Sequence, residues 1–456
     1  MEDPSADLCL LTSSFKGDTC VDFEKVSWYE HRYEHGTDRI NLTAAFETVS
    51  HTSDQEILYC DANAFTVLQG AKDKFSDYEP DDFVKARNAS NPFEDIGRSI
   101  FMNRAAIKLA NIDAMLEVST RFTFLQKQDP SAFTFCDVAA GPGGFTQYLQ
   151  YRFPKGVGYG MTLRGQLDWR TKSLDLTRFY PYYGSDNTGN LYTHYDDFVQ
   201  YISKEKPEGV DLVTADGGFD VEDTVSEGEN LLSKQEFLSS RLFLTQAYVG
   251  ISCTKGGGNF VLKSFGVMNL ITAQILYILA LAFERVCIFK PVTSRPANAE
   301  CYIVCKRRRD QIMDLRTLLK NAAAAYTDTA YLHRIFEEEL PEDFEDWLTI
   351  RNNEAIANQV KAVTALLFTL DNRSYDLPQY DIAKFLLIWN LPDTPDMTID
   401  TEENERSKGA GRGRGSKRGY DRGSSRGYDR GSSRGSSREY DRGSSRGSSR
   451  GRGTTR

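Results

Sequence analysis

The sequence has no Cys-x-x-Cys pair, only five histidines and four tryptophans, and no apolar run long enough to cross a bilayer. Its eight cysteines are scattered, and Cys301 and Cys305 fall in an apolar run that reads as a buried strand. A disulfide scaffold and a thiolate metal site are therefore excluded, and a reducing compartment fits. His31 and His35 stand at i, i+4 without a third ligand, so no metal is expected. The longest apolar stretch, Val267–Phe283, spans 17 residues and is broken by Asn269, Thr272 and Gln274. That pattern fits a buried helix and no membrane partner. Met1–Asp7 is acidic and no apolar segment follows it, so no secretory signal is read.

Positive charge is scarce in the body and abundant in the tail. The 456 residues carry a net charge of −10. From Arg406 onward there are 16 Lys and Arg against 4 Asp and Glu, a net of +12, which leaves −22 on residues 1–405. An acidic body is not coated uniformly in nucleic acid, although a local basic groove is compatible with it. In the tail, Arg recurs every four residues from Arg414 to Arg450, with Gly, Ser-Ser and Tyr-Asp between. With almost no aliphatic side chains this segment cannot bury a core, and disorder is expected.

Between these ends the chain alternates. Residues 1–60 show weak periodicity, and Asp77–Asp82 reads as an acidic turn. Apolar positions spaced near 3.6 predict a helix from about Asn91 to Thr120. Strands are predicted at Ala132–Ala139, Gly156–Leu163, Val210–Ala215, Asn259–Phe265, Arg285–Phe289 and Glu300–Lys306. Helices are predicted at Gly144–Tyr151, Tyr195–Lys204, Ser233–Thr254 and Val267–Phe283, and residues 310–390 read as helical throughout. This order specifies an α/β fold, a mostly parallel Rossmann-like sheet with helices on both faces. The last two strands lack a helix between them, so that edge should be antiparallel.

The glycine turn Asp137-Val-Ala-Ala-Gly-Pro-Gly-Gly-Phe145 follows the first of these strands. It is either a tight strand–helix turn or a place where backbone approaches a ligand at the carboxyl end of a sheet. It is not GxGxxG with an acid about 20 residues on, and it lacks GK[ST], which disfavours a dinucleotide and a phosphate-cradling loop. The motif D-x-A-x-GPGGF resembles the opening motif of the RrmJ/FtsJ-like S-adenosylmethionine-dependent 2′-O-ribose methyltransferases. The segments Phe101–Lys108, Gly160–Leu163, Ala215–Phe219 and Phe283–Glu300 are similar to the cap-1 type of cap-specific mRNA methyltransferases within that family.

The resemblance covers about residues 72–308. It implies an N-terminal extension at 1–71, a class I methyltransferase core at 72–308, helical elements at 309–392, and an acidic linker and Arg-Gly-rich tail at 393–456. The implied reaction is methyl transfer from S-adenosylmethionine to the ribose 2′-OH of the first transcribed nucleotide of capped mRNA. Alternatives are the second cap nucleotide, an rRNA or tRNA site, or a non-enzymatic RNA-binding scaffold. Capped mRNA is the implied partner, with RNA polymerase or the capping machinery beside it, in a monomer located in the nucleus.

Four ionisable residues stand in otherwise apolar segments: Lys108, Asp216, Lys263 and Glu300. Burying them unpaired would be costly, so as residues they fit either two structural ion pairs or a reacting set. The resemblance makes them the Lys-Asp-Lys-Glu tetrad of the family, with Lys263 as base and Lys108 suppressing its charge and helping hold the 2′-OH. Asp216 and Glu300 then orient the two ammonium groups. It assigns the methyl donor to Asn103, Asp137, Ala139, Ala140, Gly141, Pro142, Gly143, Gly144 and Phe145. The family often has Gly-Asp-Ile/Leu where this chain has Gly189-Asn190-Leu191, so Asn190 and Leu191 are expected at that place, with Asp196 or Asp197 as substitutes for the missing acid. RNA contacts map to Lys74, Phe75, Arg87, Asn230, Leu231, Leu232 and Asn298. The basic run Lys306–Arg309 is either a phosphate contact or a solvated strand end, and the tail is expected to tether RNA.

Overall fold

A computed structural model describes residues 26–31, 42–53, 56–91, 93, 94, 96, 101–119, 133–218, 231–371 and 381–392, with the side chains of 231–233 excepted. The strands in chain order are β1 (Ala44–Ser50), β2 (Thr134–Val138), β3 (Val157–Met161), β4 (Phe179–Tyr182), β5 (Val210–Ala215), β6 (Thr254–Ser264), β7 (Phe283–Phe289), β8 (Cys301–Arg308) and β9 (Ala330–Phe336). The helices are α1 (Ala62–Asp73), α2 (Pro80–Ala89), α3 (Arg104–Leu116), α4 (Gly144–Arg152), α5 (Leu191–Glu205), α6 (Leu231–Cys253), α7 (Leu270–Ala282), α8 (Met313–Ala325), α9 (Glu342–Leu370) and α10 (Ile382–Ile388).

Seven strands form one sheet in the order β4-β3-β2-β5-β6-β8-β7. Strands β2 to β6 run parallel, while β8 is antiparallel to both β6 and β7. The chain winds outward from β2 to β4, then returns to β5 beside β2. The order therefore reverses between β2 and β5, and their carboxyl ends open the crevice where such sheets hold ligands. Side chains alternate across the sheet as a period of two requires. Cys136, Val138, Val213, Phe260, Leu262, Ile303 and Cys305 pack on the side of α5, α6 and α7. Phe135, Leu212, Val261, Tyr302 and Val304 pack on the other, against α3, α4 and α10. Helix α7 is buried on nearly all sides, and no helix among the described residues is long and apolar enough to cross a membrane.

The sheet agrees with the alternation read from the sequence, including its antiparallel edge. Three strands were not legible. β4 is only four residues long and half-exposed. β1 and β9 pair antiparallel as a separate two-stranded sheet. β9 overturns the expectation of helix throughout 310–390, and its partner stands about 280 residues earlier, where no local period marks it. Helix α3 is also shorter than its apolar spacing suggested. It starts at Arg104 because Asn103 is extended and its side chain accepts from the Ala105 N–H, a hydrogen-bonded N-cap. Expectations for residues 219–230, for His35 and for the tail lie outside the described residues.

In β3 two glycines make space for aromatic rings. A Cβ on Gly158 would stand 2.2 Å from the Phe135 ring, and one on Gly160 would stand 2.5 Å from the Phe179 ring. Phe135 and Phe179 stack with centroids 6.2 Å apart. Gly158→Val is therefore expected to overpack this layer and to cost about 1–3 kcal/mol, read as a lower denaturant midpoint at unchanged slope.

Candidate active site

The carboxyl ends of β2, β3, β5 and β6 open into a cleft of about 1960 Å³. Its inner wall is largely backbone: Ala139, Ala140, Gly141, Met161, Thr162, Leu163, Gly189, Gly217 and Gly218. Gly141 donates its N–H to the Thr162 hydroxyl at 3.0 Å. Gly143 holds φ at +109°, and Gly189 holds +69° with no room for a Cβ beside the Thr162 carbonyl. Both positions need the left-handed backbone that glycine adopts without strain. Asn103 and Asn190 reach the same wall as N-caps of α3 and α5, each accepting from a backbone N–H at 3.0 Å. Each carbonyl oxygen has one lone pair engaged locally, and the amide NH₂ adds two donors for a ligand. This wall is neutral, polar through backbone, and lined by small residues. Those properties fit an adenosyl group, with Asp216 the one acidic side chain among the residues that line the cleft deep in the sheet.

The four ionisable residues meet at the floor, where Asp216 and Lys263 line the cleft while Lys108, expected to help hold the 2′-OH, and Glu300 stand behind them. Lys108 Nζ lies 2.7 Å from Glu300 Oε1, and Lys263 Nζ lies 3.3 Å from Glu300 Oε2 and 3.5 Å from Asp216 Oδ1. The fold explains the meeting. Lys263 shares a sheet face with Val261, the face covered by α3, and α3 carries Lys108. In the β6–β8 ladder Lys263 pairs with Tyr302, which puts Glu300 just beyond the paired region. Burial pushes Glu300 toward its neutral form, but Lys108, Lys263 and the Ser294 hydroxyl outweigh it and hold the carboxyl well below the usual range. Burial likewise opposes the Lys263 charge, and Asp216 and Glu300 together outweigh burial and raise its pKa above the ordinary lysine value. Lys108 spends its ammonium on Glu300. It neutralises the carboxylate, and any suppression of the Lys263 charge by Lys108 is outweighed by Asp216 and Glu300.

Three supporting residues were missed by sequence reasoning. Tyr302 donates to Asp216 at 2.7 Å, Ser294 donates to Glu300 at 2.7 Å, and Lys290 donates to the Glu300 carbonyl at 2.9 Å. All three lie in or beside the Phe283–Glu300 segment, so their position was visible, but their partners depend on the fold.

Other expectations are corrected by position. Asp137 does not line the cleft. It is fully buried beneath the glycine turn, where the Thr146 and Thr214 hydroxyls each donate to it at 2.7 Å. Pro142, Gly143, Gly144 and Phe145 also stand behind the wall; Phe145 is core. A Cβ on Gly143 would meet Leu174 and Trp169, and one on Gly144 would meet Asn103. These residues shape the turn, and the Ala139–Gly141 backbone faces the cleft. Asp196 is held by Lys320 and Tyr248, and Asp197 by His194, so neither replaces the acid absent at position 190.

The outer end of the cleft is aromatic and carries both signs of charge, with Asp73, Asp77 and Glu79 beside the cations. Phe75, Tyr78, Phe83, Arg87, Lys72, Arg295 and Asn298 line it. On the last turn of α1 Lys72 points inward, buried and bonded to Gln359 at 3.0 Å, while Lys74, the first residue of a 3₁₀ turn after α1, is exposed outside the cleft. Lys72, absent from the sequence reading, thus takes the place given to Lys74. Asn298 lines the cleft while its side-chain oxygen accepts from Lys290 at 2.8 Å. Leu231 and Leu232 open α6, and Asn230 lies outside the described residues. The run Lys306–Arg309 is divided: Arg307 is exposed, as a solvated strand end would be, while Lys306 and Arg309 are spent on backbone carbonyls. Lys306 donates to the Leu116 and Glu117 carbonyls at 2.9 and 2.6 Å, capping α3, and Arg309 donates to the Phe283, Glu284 and His31 carbonyls.

Burial raises the Asp137 carboxyl to about 7, a shift opposed by the two threonine hydroxyls and reinforced by Asp216. A raised acid favours the folded state fully below its unfolded value and loses that contribution as pH climbs through the folded one. Stability should therefore fall between about pH 4 and pH 8, by an amount on the order of 4 kcal/mol. Asp137→Asn should flatten that slope, which urea unfolding of both proteins across this range would measure.

The geometry has counterparts in known proteins. Residues 101–308 match the FtsJ-like methyltransferase family. Cap-specific mRNA (nucleoside-2'-O-)-methyltransferase 1 of Xenopus laevis is 33% identical over 368 residues, 75% of this chain and 42% of that protein. The proteins of the same name from Danio rerio and Drosophila melanogaster are 31% and 36% identical, covering 87% and 67% of this chain and 51% and 38% of their own lengths. The chain thus spans about half the length, or less, of the curated relatives it matches. The match runs from the residue before Met102, through the glycine turn and the ion-pair cluster, to the end of β8. Residues 101–308 are therefore an FtsJ-like methyltransferase domain.

Proposed function

We propose that this chain transfers a methyl group from S-adenosylmethionine to the ribose 2′-OH of the first transcribed nucleotide of m7G-capped mRNA. The observation that carries the reading is that Asp216 and Lys263 line one cleft between a neutral backbone wall and an aromatic, charged outer end, with Lys108 and Glu300 ion-paired behind them. Ala139–Gly141, Met161–Leu163, Gly189–Leu191, Asn103 and Gly217 would hold the methyl donor, which supplies an electrophilic sulfonium methyl. Phe75 and Phe83, with ring centroids 5.0 Å apart, offer flat apolar surface for a base, and Arg87 and Lys72 offer charge for phosphates. The names of the relatives support the cap as substrate, and a role in mRNA processing is the support for a nuclear location.

The chemistry asks the cluster to orient the hydroxyl and release its proton. Lys263 and Asp216 stand together at the cleft, and Lys108 and Glu300 fix Lys263 from behind. Proton transfer to Lys263 needs its neutral amine, and the two carboxylates oppose that form. The amine fraction grows as pH rises toward the raised value, so the alkaline limb of the rate should extend past the ordinary lysine range. The proton belongs to the coupled set and not to one residue. Much of the acceleration then comes from holding the hydroxyl in line with the methyl group.

The deciding experiment is transfer of labelled methyl to short RNA with and without an m7G cap, followed by mapping of the modified nucleotide. Label in the first nucleotide of capped RNA alone is expected. Equal labelling of uncapped RNA, or label in the second nucleotide, would move the assignment to another ribose, and donor binding without transfer would favour an RNA-binding scaffold.

Lys263→Ala should abolish transfer yet keep the methyl-donor dissociation constant within about threefold, because Glu300 retains Lys108 and Ser294 while Asp216 retains Tyr302. Lys263→Arg should be equally inactive at every pH, since a guanidinium does not deprotonate in a protein. Single-turnover rates of both variants from pH 6 to 10, beside calorimetric donor titrations, test this; activity in Lys263→Arg would remove proton abstraction by residue 263.

A further inference from the structure

Strands β7 and β8 are joined by the loop 290–300, whose two ends meet where Phe289 pairs with Tyr302. The loop carries Asn298, which lines the outer cleft, and Glu300, which anchors both lysines at the floor. One side chain from the base of the loop spans these two residues. Lys290 Nζ donates to the Asn298 carbonyl at 2.7 Å, to the Asn298 side-chain oxygen at 2.8 Å and to the Glu300 carbonyl at 2.9 Å. An ammonium has three hydrogens, and here each has an acceptor on the same short segment.

We propose that Lys290 is a positioning residue that clamps this loop, so that Asn298 in the cleft and Glu300 in the ion-pair cluster move as one rigid piece. The inference rests on the reading of the cleft as a 2′-O-methyltransferase site. Its consequence is a coupling: a ligand seated on the Asn298 side improves the placement of Glu300, and through Glu300 that of Lys263.

Among the described residues the loop has other ties at its middle, and at its end through the Glu300 carboxylate, which pairs with Lys108 and Lys263. Val292 N–H donates to Asn111 at 2.9 Å, and Arg295 pairs with Glu94 at 2.8 Å. Ser294 reaches the Glu300 carboxylate, but no other described bond joins the Asn298 side chain to the Glu300 backbone. Burial, partly offset by Glu300 and Cys301 and reinforced by Lys72 and Lys108, brings Lys290 to about 8. The three acceptors around Nζ match the three hydrogens of the ammonium form.

The test uses the full chain with Lys290→Met, which keeps the length of the stem and removes all three donors. Leu319→Ala, in the core of α8 and outside the cleft, serves as a control for general destabilisation. Hydrogen exchange of peptides within 291–300 should quicken at least tenfold in Lys290→Met and stay unchanged in Leu319→Ala. With capped RNA, Lys290→Met should lower kcat about 100-fold, the scale expected when a reacting group is misplaced by about 1 Å, and should raise KM. Methyl-donor affinity should stay within threefold.

Unchanged exchange in the loop would overturn the clamp. Faster exchange with wild-type kcat would overturn the coupling, as would an equal loss of kcat in Leu319→Ala. Failure of the wild-type chain to methylate capped RNA would overturn the reading of the cleft, while the exchange experiment would still judge the clamp.

Discussion

Glu300 is one carboxylate shared by two ammonium groups, and the remainder of the site is arranged around that sharing. A buried carboxylate with a single lysine is a closed pair with no reason to face a cleft. With two lysines it is over-neutralised, and the surplus positive charge is returned by Asp216 on the neighbouring strand. The four groups then sum to zero in a place where an unbalanced charge would be expensive. A neutral set can be buried beside apolar β-strands and still present polar atoms to a substrate.

The sheet supplies the geometry this balance needs. Lys263 and Tyr302 are ladder partners on adjacent antiparallel strands, so the edge insertion of β8 between β6 and β7 is what brings Glu300 to Lys263. A purely parallel continuation would have delivered a helix at that point. Lys108 arrives from α3, which is held at its far end by Lys306 and by Asp113, itself bonded to Tyr148 and Ser119. The basic strand end and the acidic helix end are thus spent on fixing the helix that carries Lys108.

What could be read from the sequence was what repeats locally or follows a motif. The alternation of strands and helices, the antiparallel edge and the four ionisable residues were all legible, because period and charge in apolar segments are visible without coordinates. β9 was not, since a seven-residue strand amid helices has no local signal and its partner is far away in the chain. The end of the helix decided Lys72 against Lys74: Lys72 lies on the last turn of α1 and is buried, and Lys74 opens the 3₁₀ turn that follows and is exposed. Asp137 read as a ligand contact because it opens the motif; the fold puts it beneath the turn, where it fixes Thr146 and Thr214 in place of a ligand.

Asn103 and Asn190 show why site chemistry and fold cannot be separated here. Each is the first polar group of a helix that faces the cleft, and each has its oxygen bound to its own helix. A charged Asp at position 190 would cap the helix equally well and leave its second oxygen as an acceptor toward the cleft. Asn leaves an NH₂ donor there. Asn190 thus keeps the helix start while adding donors at the cleft wall. An acceptor on the ligand then gains a partner at position 190, and a ribose hydroxyl can turn its oxygen toward the amide.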